Sequence, residues 1–160
     1  MTKEQIAFAE KVGWVFEHSP WVAVRASSSL PFPNSKAMHD AMMEVVCQAT
    51  PAEQLALIQA HPDLGARAKM SDASVGEQAG AGLNQLTPEE FDTLHKLNAA
   101  YKSRFGFPFI YAVKGSTKHD ILRALETRLG NTQEAEHATA LEQVFRIAWF
   151  RLSDIFKESA

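Results

Sequence analysis

The sequence of 160 residues predicts an all-α fold, a single compact domain (residues 1–160) of about eight helices with a buried C-terminal helix. Helix-start signals recur along the chain. Apolar residues repeat at intervals of three and four. Strand-like alternation of useful length is missing, with the short stretch 107–113 as the one exception. Short connections between helical segments favour one layered helical core.

Capping boxes mark four of the predicted helix starts. In this motif a Ser or Thr side chain and a residue three positions later satisfy each other's backbone N–H groups. The boxes begin at Thr2, Thr50, Ser74 and Thr87, and we expect their helices to extend to about residues 18, 61, 82 and 105. The helix from Thr50 must stop at residue 61, because the next residue is proline.

Other cap residues predict the remaining helices. Ser19, before a proline, opens a short helix to residues 27–29, and Asn34 or Ser35 opens one that ends near residue 48. Residues 31–34 and 62–73 are predicted to be irregular. Ser116 or Thr117 opens a helix to residue 129, and the last helix starts at residue 132.

Apolar stripes predict which helix faces are buried. The helix after Thr87 carries such a stripe, and the final helix holds helical period over four turns. The residues are Phe91, Leu94, Leu97, Tyr101 and Phe105 in the first, and Leu141, Val144, Phe145, Ala148, Trp149, Leu152, Ile155 and Phe156 in the second.

Composition excludes several functional classes. The net charge is −3 with both signs interspersed, which argues against a nucleic-acid or anionic-membrane partner. No apolar run approaches the ~20 residues that a membrane span needs. The single cysteine, Cys47, excludes an internal disulfide, fits a reducing cytoplasmic location and is interpreted as a small core residue. The polar N-terminus lacks the apolar block of a signal peptide.

The sequence predicts no metal site. None of the six histidines pairs with another at i+3 or i+4, and neither Cys-x-x-Cys nor His-Glu-x-x-His occurs. Glycine-rich phosphate-binding motifs are also missing.

The segment Tyr101–Gly115 is the most unusual stretch of the chain. Phenylalanines alternate with Gly106 and Pro108, so an apolar, non-helical segment follows a long helix. Its backbone polar groups need partners. They could hydrogen-bond a polar ligand beside the aromatic rings, or the segment could be a buried connection between helices.

His61 stands where its helix is forced to end. The negative end of a helix favours a protonated imidazole, and Pro62 would hold the ring in a fixed direction. His61 could therefore act as a general acid or bind a carboxylate. Alternatively, it only caps the last carbonyl groups of the helix.

The segment Ser74–Gln78 has a similar double interpretation. Ser74 and Glu77 form a capping box, which is a sufficient structural role. The same helix start would offer N–H groups to an anionic or carbonyl-bearing ligand, with Glu77 and Gln78 adding an acceptor and an amide.

Three motifs together resemble the 2-oxo-4-hydroxy-4-carboxy-5-ureidoimidazoline (OHCU) decarboxylases of uric acid degradation. They occur in this order: His-Pro-Asp-Leu-Gly at 61–65, Ser-x-x-Glu-Gln-x-x-Ala-Gly-Leu at 74–83, and Asn-x-x-Tyr-x-x-Arg-Phe-Gly-Phe-Pro-Phe-Ile at 98–110. The early Phe-Glu-His-Ser-Pro-Trp at 16–21 is also similar. The resemblance covers nearly the whole chain, read as one OHCU decarboxylase-like domain over residues 1–160.

The resemblance implies an all-helical carboxy-lyase that converts OHCU to (S)-allantoin with no cofactor. His61 matches the catalytic histidine of the family, and Glu77 is the expected second catalytic residue. The substrate-contacting residues would be Pro62, Ser74, Val75, Gly76, Glu77, Gln78, Phe107, Pro108, Phe109, Ile110 and Tyr111. A homodimer is compatible with the resemblance.

Two points stay open at this stage. Many relatives are expected to carry an arginine where this chain has Lys114, and lysine lacks the bidentate fork. Lys114 and Arg104 each flank the aromatic segment and could meet a carboxylate.

The competing interpretation of the whole chain is a non-catalytic helical module that binds a small ligand or a partner.

Overall fold

The structure, a computed structural model, describes residues 1–65 and 72–156, with the backbone alone for 72–74. These residues form eight α-helices and no strand, which confirms the predicted all-α fold. The helices are α1 Lys3–Val12, α2 Trp21–Ala26, α3 Ser35–Gln48, α4 Pro51–Gln59, α5 Asp72–Gly80, α6 Pro88–Phe105, α7 Lys118–Arg128 and α8 Gln133–Phe156.

Local capping explains most helix starts. The predicted capping boxes at Thr2, Thr50 and Thr87 are confirmed, each with both reciprocal hydrogen bonds. Thr117 forms a further box with Asp120, and the Asn34 side chain accepts from the Ala37 N–H. Because each motif needs only four consecutive residues, the sequence alone encodes it.

The first helix corner differs from the prediction. α1 ends at Val12 instead of near residue 18, and a 3-10 turn follows over Gly13–Val15. His18 adopts φ 47°, a left-handed conformation that cannot continue a helix. Ser19 is not the cap of α2, because its hydroxyl donates to the Glu17 carbonyl at 2.9 Å and Pro20 occupies the cap position.

The start of α5 also differs from the prediction. The helix begins at Asp72, so Ser74 lies inside it and is not its cap. Aspartate suits the first turn of a helix because its charge opposes the helix dipole, and this favours the earlier start. Of the predicted irregular stretch 62–73, residues 62–65 are non-helical as expected, whereas 66–71 lie outside the described residues.

Two further differences are small. α4 ends at Gln59 with Ala60 as its cap, two residues before the predicted limit at residue 61. Cys47 is exposed on α3 and is not the core residue that the composition suggested. The buried face of α3 carries Met42 and Val46 instead.

The buried C-terminal helix is confirmed along one face of α8. Ala140, Val144, Ala148 and Leu152 recur every four residues and are at most 1% exposed. Among the described helices, none combines the length and apolar character needed to cross a bilayer.

Contacts between Cα atoms group the described residues into two compact units. The first contains residues 1–60 and those from 144 onward, and the second contains those between 61 and 143. In the first unit, Arg151 donates to the Glu17 carboxylate at 3.1 Å, and both side chains are buried. The predicted site residues all belong to the second unit. A single domain over residues 1–160 remains a prediction.

Candidate active site

His61 opens a short irregular segment, residues 61–65, which the helices of the second unit hold in place. The His61 side chain is 7% exposed. Asn98 of α6 donates its Nδ2 to the Leu64 carbonyl at 2.9 Å, and the Gly65 N–H donates to Oε1 of Gln78 on α5 at 2.8 Å. Both amide side chains are buried, so this backbone is fixed by neutral hydrogen bonds to side chains that are largely shielded from solvent.

Two other features hold the segment that follows His61. Lys102 Nζ lies 3.1 Å from Oδ1 of Asp63, a pair that is partly exposed to solvent. Gly65 has φ 73°, and a Cβ added there would lie 2.6 Å from Cδ2 of Leu94. Only glycine satisfies both the backbone conformation and the close approach of α6.

The predicted substrate residues of α5 differ in exposure. Val75 and Gly76 are exposed, Glu77 is half-buried and Gln78 is buried. The backbone of Ser74 is helical, and its side chain lies outside the described residues. The helical period places Val75 and Gln78 on one side of α5.

A cavity of about 470 Å³ lies beside α5. Val75 and Gln78 are the predicted site residues in its lining. The other described residues around it are Gly65, Ala79, Leu83, Asn84, Leu86, Pro88, Phe91 and Asp92. His61, Glu77 and the segment 107–111 are not among the described lining residues, so this cavity unites only part of the predicted site.

The wall of this cavity from Leu83 to Pro88 is tied to α7. Lys118 Nζ contacts the Gln85 carbonyl at 3.3 Å and Oε1 of Glu90 at 2.7 Å. The hydrogen bond from Lys118, followed by the one from the Thr87 backbone N–H, lowers the pKa of Glu90 to about 2. Lys118 therefore ties both this connection and the first turn of α6 to α7.

The segment Phe107–Tyr111 is largely buried and free of regular secondary structure. Phe107, Pro108, Phe109 and Ile110 are buried, and Tyr111 is half-buried. The aromatic ring of Tyr101 packs against those of Phe107 and Phe109, with centroid distances of 6.0 and 5.4 Å. The aromatic rings of this segment therefore form a packed cluster with Tyr101.

A buried ionic network contacts the backbone of this aromatic segment. Arg128 donates Nη1 to the Ile110 carbonyl at 2.6 Å and Nε to Oε1 of Glu136 at 2.8 Å. The Tyr101 hydroxyl donates to the same Glu136 oxygen, and Asn131 donates to Oε2 at 2.9 Å. Burial, followed by this hydrogen bond to Glu136, raises the pKa of Tyr101.

Amide side chains fix both ends of the segment. Gln133 Nε2 donates to the Phe105 carbonyl at 3.0 Å, and the Ala112 N–H donates to Oε1 of Gln143 at 2.9 Å. The conformation of this stretch is therefore determined at several points along its length.

The two flanking cations occupy exposed positions. Arg104 donates Nη2 to the Asn131 carbonyl at 2.8 Å, and its guanidinium carbon lies 5.1 Å from the centre of the Phe105 ring. Lys114 is exposed in the turn that precedes α7. Within the part of the chain that the structure describes, no three His, Cys, Asp or Glu side chains are grouped to hold a metal ion.

Sequence reasoning assigned no role in the site to Asn98, Arg128 or Glu136, although Asn98 opens the third family motif. Each lies three or four residues from a buried apolar residue of its own helix. Asn98 lies between Leu94 and Tyr101, Arg128 follows Leu125, and Glu136 precedes Ala140. A polar residue on an apolar stripe is the signal that could have identified them, because a buried charge requires a partner.

The second unit therefore has the features of a helical protein that binds a small polar molecule. It combines a buried imidazole at a fixed backbone segment, a cavity lined by both apolar and polar side chains, and a rigid aromatic segment.

Comparison with known proteins identifies the family. The OHCU decarboxylase family model matches residues 2–153. The chain belongs to the OHCU decarboxylase family, as the three sequence motifs predicted.

Individual relatives agree with this result. The chain is 46% identical to a uric acid degradation bifunctional protein of Bacillus sp. (strain TB-90), over 94% of this chain and 30% of that protein. It is 44% identical to the 2-oxo-4-hydroxy-4-carboxy-5-ureidoimidazoline decarboxylase of Haloferax volcanii, over 94% of this chain and 89% of that protein. The chain thus spans under a third of the bifunctional relative and most of the shorter one.

Solved structures share the fold. The crystal structure of an (S)-allantoin synthase superposes with a TM-score of 0.79 at 34% identity, covering 96% of this chain and 50% of that one. An OHCU decarboxylase crystal structure in the presence of (S)-allantoin gives a TM-score of 0.72 at 26% identity, covering 86% and 92%. The roles of individual site residues remain predictions.

Proposed function

We propose that this protein decarboxylates OHCU to (S)-allantoin in uric acid degradation, without a metal or organic cofactor. The observation that carries the proposal is the family match over residues 2–153, which includes a buried histidine at position 61. The resemblance assigns the catalytic role to that histidine.

The chemistry of OHCU explains why a cofactor is unnecessary. One ring carbon carries both the carboxylate and a hydroxyl, beside a ring C=N bond. When the bond to the carboxylate breaks, CO₂ leaves and the bonding electrons flow into the C=N bond, giving an enol-like intermediate. Allantoin then forms when the hydroxyl loses its proton, the ring nitrogen that received the electrons is protonated, and the neighbouring carbon takes up a proton. The carboxylate form of the substrate thus takes up one proton in all, and the face of proton addition to carbon sets the chirality.

The protein must therefore orient the substrate, stabilise developing charge and protonate one face. Orientation and fixed dipoles can each supply several kcal/mol of such a barrier. We assign His61 to the substrate carboxylate or hydroxyl and to proton handling. Glu77 would accept a hydrogen bond from the substrate hydroxyl or ureido group and help to set the protonation of His61.

The remaining predicted residues would bind the substrate. Ser74, Gln78 and backbone groups of the segment 107–111 would hydrogen-bond the polar edges of the ring. Pro62, Val75 and Gly76 would complete the contact surface, and the phenylalanines would exclude water. The hydrogen bond between Gln78 and Gly65 supports this proposal, because it links α5 to the segment that begins with His61.

Substitution of the two proposed catalytic residues tests the function. Freshly generated OHCU is added to the wild type, His61→Gln and Glu77→Gln, and optical rotation follows the formation of (S)-allantoin. We expect His61→Gln to lower the rate about 100-fold or more, because it removes an acid–base group. We expect Glu77→Gln to reduce turnover more than thermal stability.

The control is His119→Gln, which changes a histidine side chain that is 68% exposed and should retain full activity. Melting curves of all variants establish that they are folded. A wild type that binds (S)-allantoin but leaves OHCU to decay to racemic product would instead establish a non-catalytic binding module. Full activity of folded His61→Gln would remove His61 from the mechanism.

We also propose a cytoplasmic location and a homodimeric assembly. Fractionation of the producing cell tests the location, and sedimentation equilibrium tests the assembly. A monomer at micromolar concentration would contradict the dimer without affecting the proposed reaction.

A further inference from the structure

The irregular backbone of residues 107–111 has to keep one shape if it is to contact substrate. Apolar packing alone leaves the carbonyl groups of such a segment to be satisfied, and a buried carbonyl without a donor is destabilising. Arg128 of α7 supplies that donor to the Ile110 carbonyl at 2.6 Å. The residue is 9% exposed, so the contact is made away from bulk water.

Arg128 also contacts an aromatic ring of the segment. Its guanidinium carbon lies 4.4 Å from the centre of the Phe109 ring, within the range of a cation–π contact. One planar side chain thus fixes a main-chain carbonyl and a neighbouring ring of the same segment. A lysine could supply the charge but not this planar set of donors.

Glu136 keeps the Arg128 side chain in this position. Its carboxylate is fully buried and accepts from Arg128 Nε at 2.8 Å. Tyr101 donates to the same oxygen while its ring packs on Phe107 and Phe109. Arg128 is therefore held by a carboxylate that also binds Tyr101, whose ring packs on the aromatic segment.

We propose that Arg128 is a positioning residue for the substrate-contacting segment Phe107–Tyr111, acting through the Ile110 carbonyl and the Phe109 ring. This inference rests on the proposed function, because it assigns the segment to substrate contact. It does not place Arg128 on the substrate. Loss of Arg128 should therefore weaken substrate binding while the chemical groups at residues 61 and 77 stay in place.

Steady-state kinetics on OHCU test the inference with Arg128→Met, Arg128→Lys and the control Arg123→Met. Arg123 is an exposed arginine five residues earlier on α7. We expect KM to rise about tenfold or more in Arg128→Met, with a smaller rise in Arg128→Lys and a smaller change in kcat in both. Arg123→Met should match the wild type.

Amide hydrogen exchange provides a second readout that does not depend on activity. Peptides covering residues 107–113 should exchange faster in the Arg128 variants than in the wild type, at temperatures well below unfolding. If Arg128→Met does not fold, the same two measurements on Arg128→Lys decide the question.

An unchanged KM and unchanged exchange in a folded Arg128 variant would overturn the inference, even if its melting temperature fell. A wild type without activity on OHCU would refute the proposed function instead. In that case the exchange measurement still tests whether Arg128 orders the segment.

Discussion

The second unit contains two irregular segments that are fixed by different physical means. The segment 61–65 is held mainly by neutral amides, from Asn98 to Leu64 and from Gly65 to Gln78. The segment 107–111 is held by a buried ion pair, Arg128 with Glu136, that also engages the backbone. Both segments carry residues that we assign to the site.

This difference determines how each segment responds to substitution. Neutral contacts around 61–65 are distributed over several side chains, so each one contributes a modest share of the stability. The ionic network concentrates several contacts on one carboxylate and one guanidinium. Removing one member leaves its partner charged and buried, which costs far more than losing one neutral hydrogen bond.

Among the substitutions that compare the two segments, Glu136→Gln should lower the free energy of unfolding most. The substitution leaves the buried Arg128 guanidinium without its counter-charge, and we expect the free energy of unfolding to fall by about 3–5 kcal/mol. Urea unfolding measures this change. The control is Glu142→Gln, an exposed position on the same helix that should stay within about 0.5 kcal/mol of the wild type. Equal stability of the two variants would contradict a network of concentrated contacts.

Gly65→Ala should have an intermediate effect on the other segment. The substitution places a residue with a side chain in a left-handed backbone conformation and presses its Cβ against buried Leu94. We therefore expect the free energy of unfolding to fall by about 1–3 kcal/mol. Gly80→Ala is the matched control, because a Cβ there meets nothing within 4 Å. The same unfolding assay applies to both variants. If Gly65→Ala lost no more stability than the control, the segment would be shown to adapt freely.

Lys102→Met should have the smallest effect. The side chains of Lys102 and Asp63 are 53% and 36% exposed. We therefore expect the free energy of unfolding to fall by less than about 1 kcal/mol, and by still less in high salt. Unfolding at low and high ionic strength measures both the loss and its salt dependence, with Lys96→Met on the same helix as the control. A loss as large as that of Gly65→Ala would show that charge also dominates at 61–65.

The predictable part of this fold is the part with local causes. The boxes at Thr2, Thr50 and Thr87 each depend on four consecutive residues, and the structure confirms all three. The family motifs were equally local, since each is a short run of residue types. The start of α5 was missed because Asp72 and Ser74 both suit a helix N-terminus, and the sequence alone did not rank them.

The unpredicted part depends on residues that are far apart in the sequence. Arg128 is 18 residues from the carbonyl that it contacts, and Asn98 is 34 residues from its partner Leu64. Capping and periodicity describe one helix at a time, so they place a side chain on a face without naming what lies opposite. The exposed position of Cys47 was missed for a related reason, because residue type was used in place of register on α3.

The left-handed turn at Gly106 restricts the number of residues that this stretch of the chain can contain. Gly106 ends α6 with φ 79° and its N–H donates to the Lys102 carbonyl at 2.8 Å. One extra residue between Tyr101 and this turn would rotate everything that follows by about 100° and advance it by about 1.5 Å. Either the Tyr101 hydroxyl or the Phe107 ring would then move out of its present position and lose its contacts. This stretch can accept changes of side chain but not of residue number, so an alignment of homologues should show it as a block without gaps.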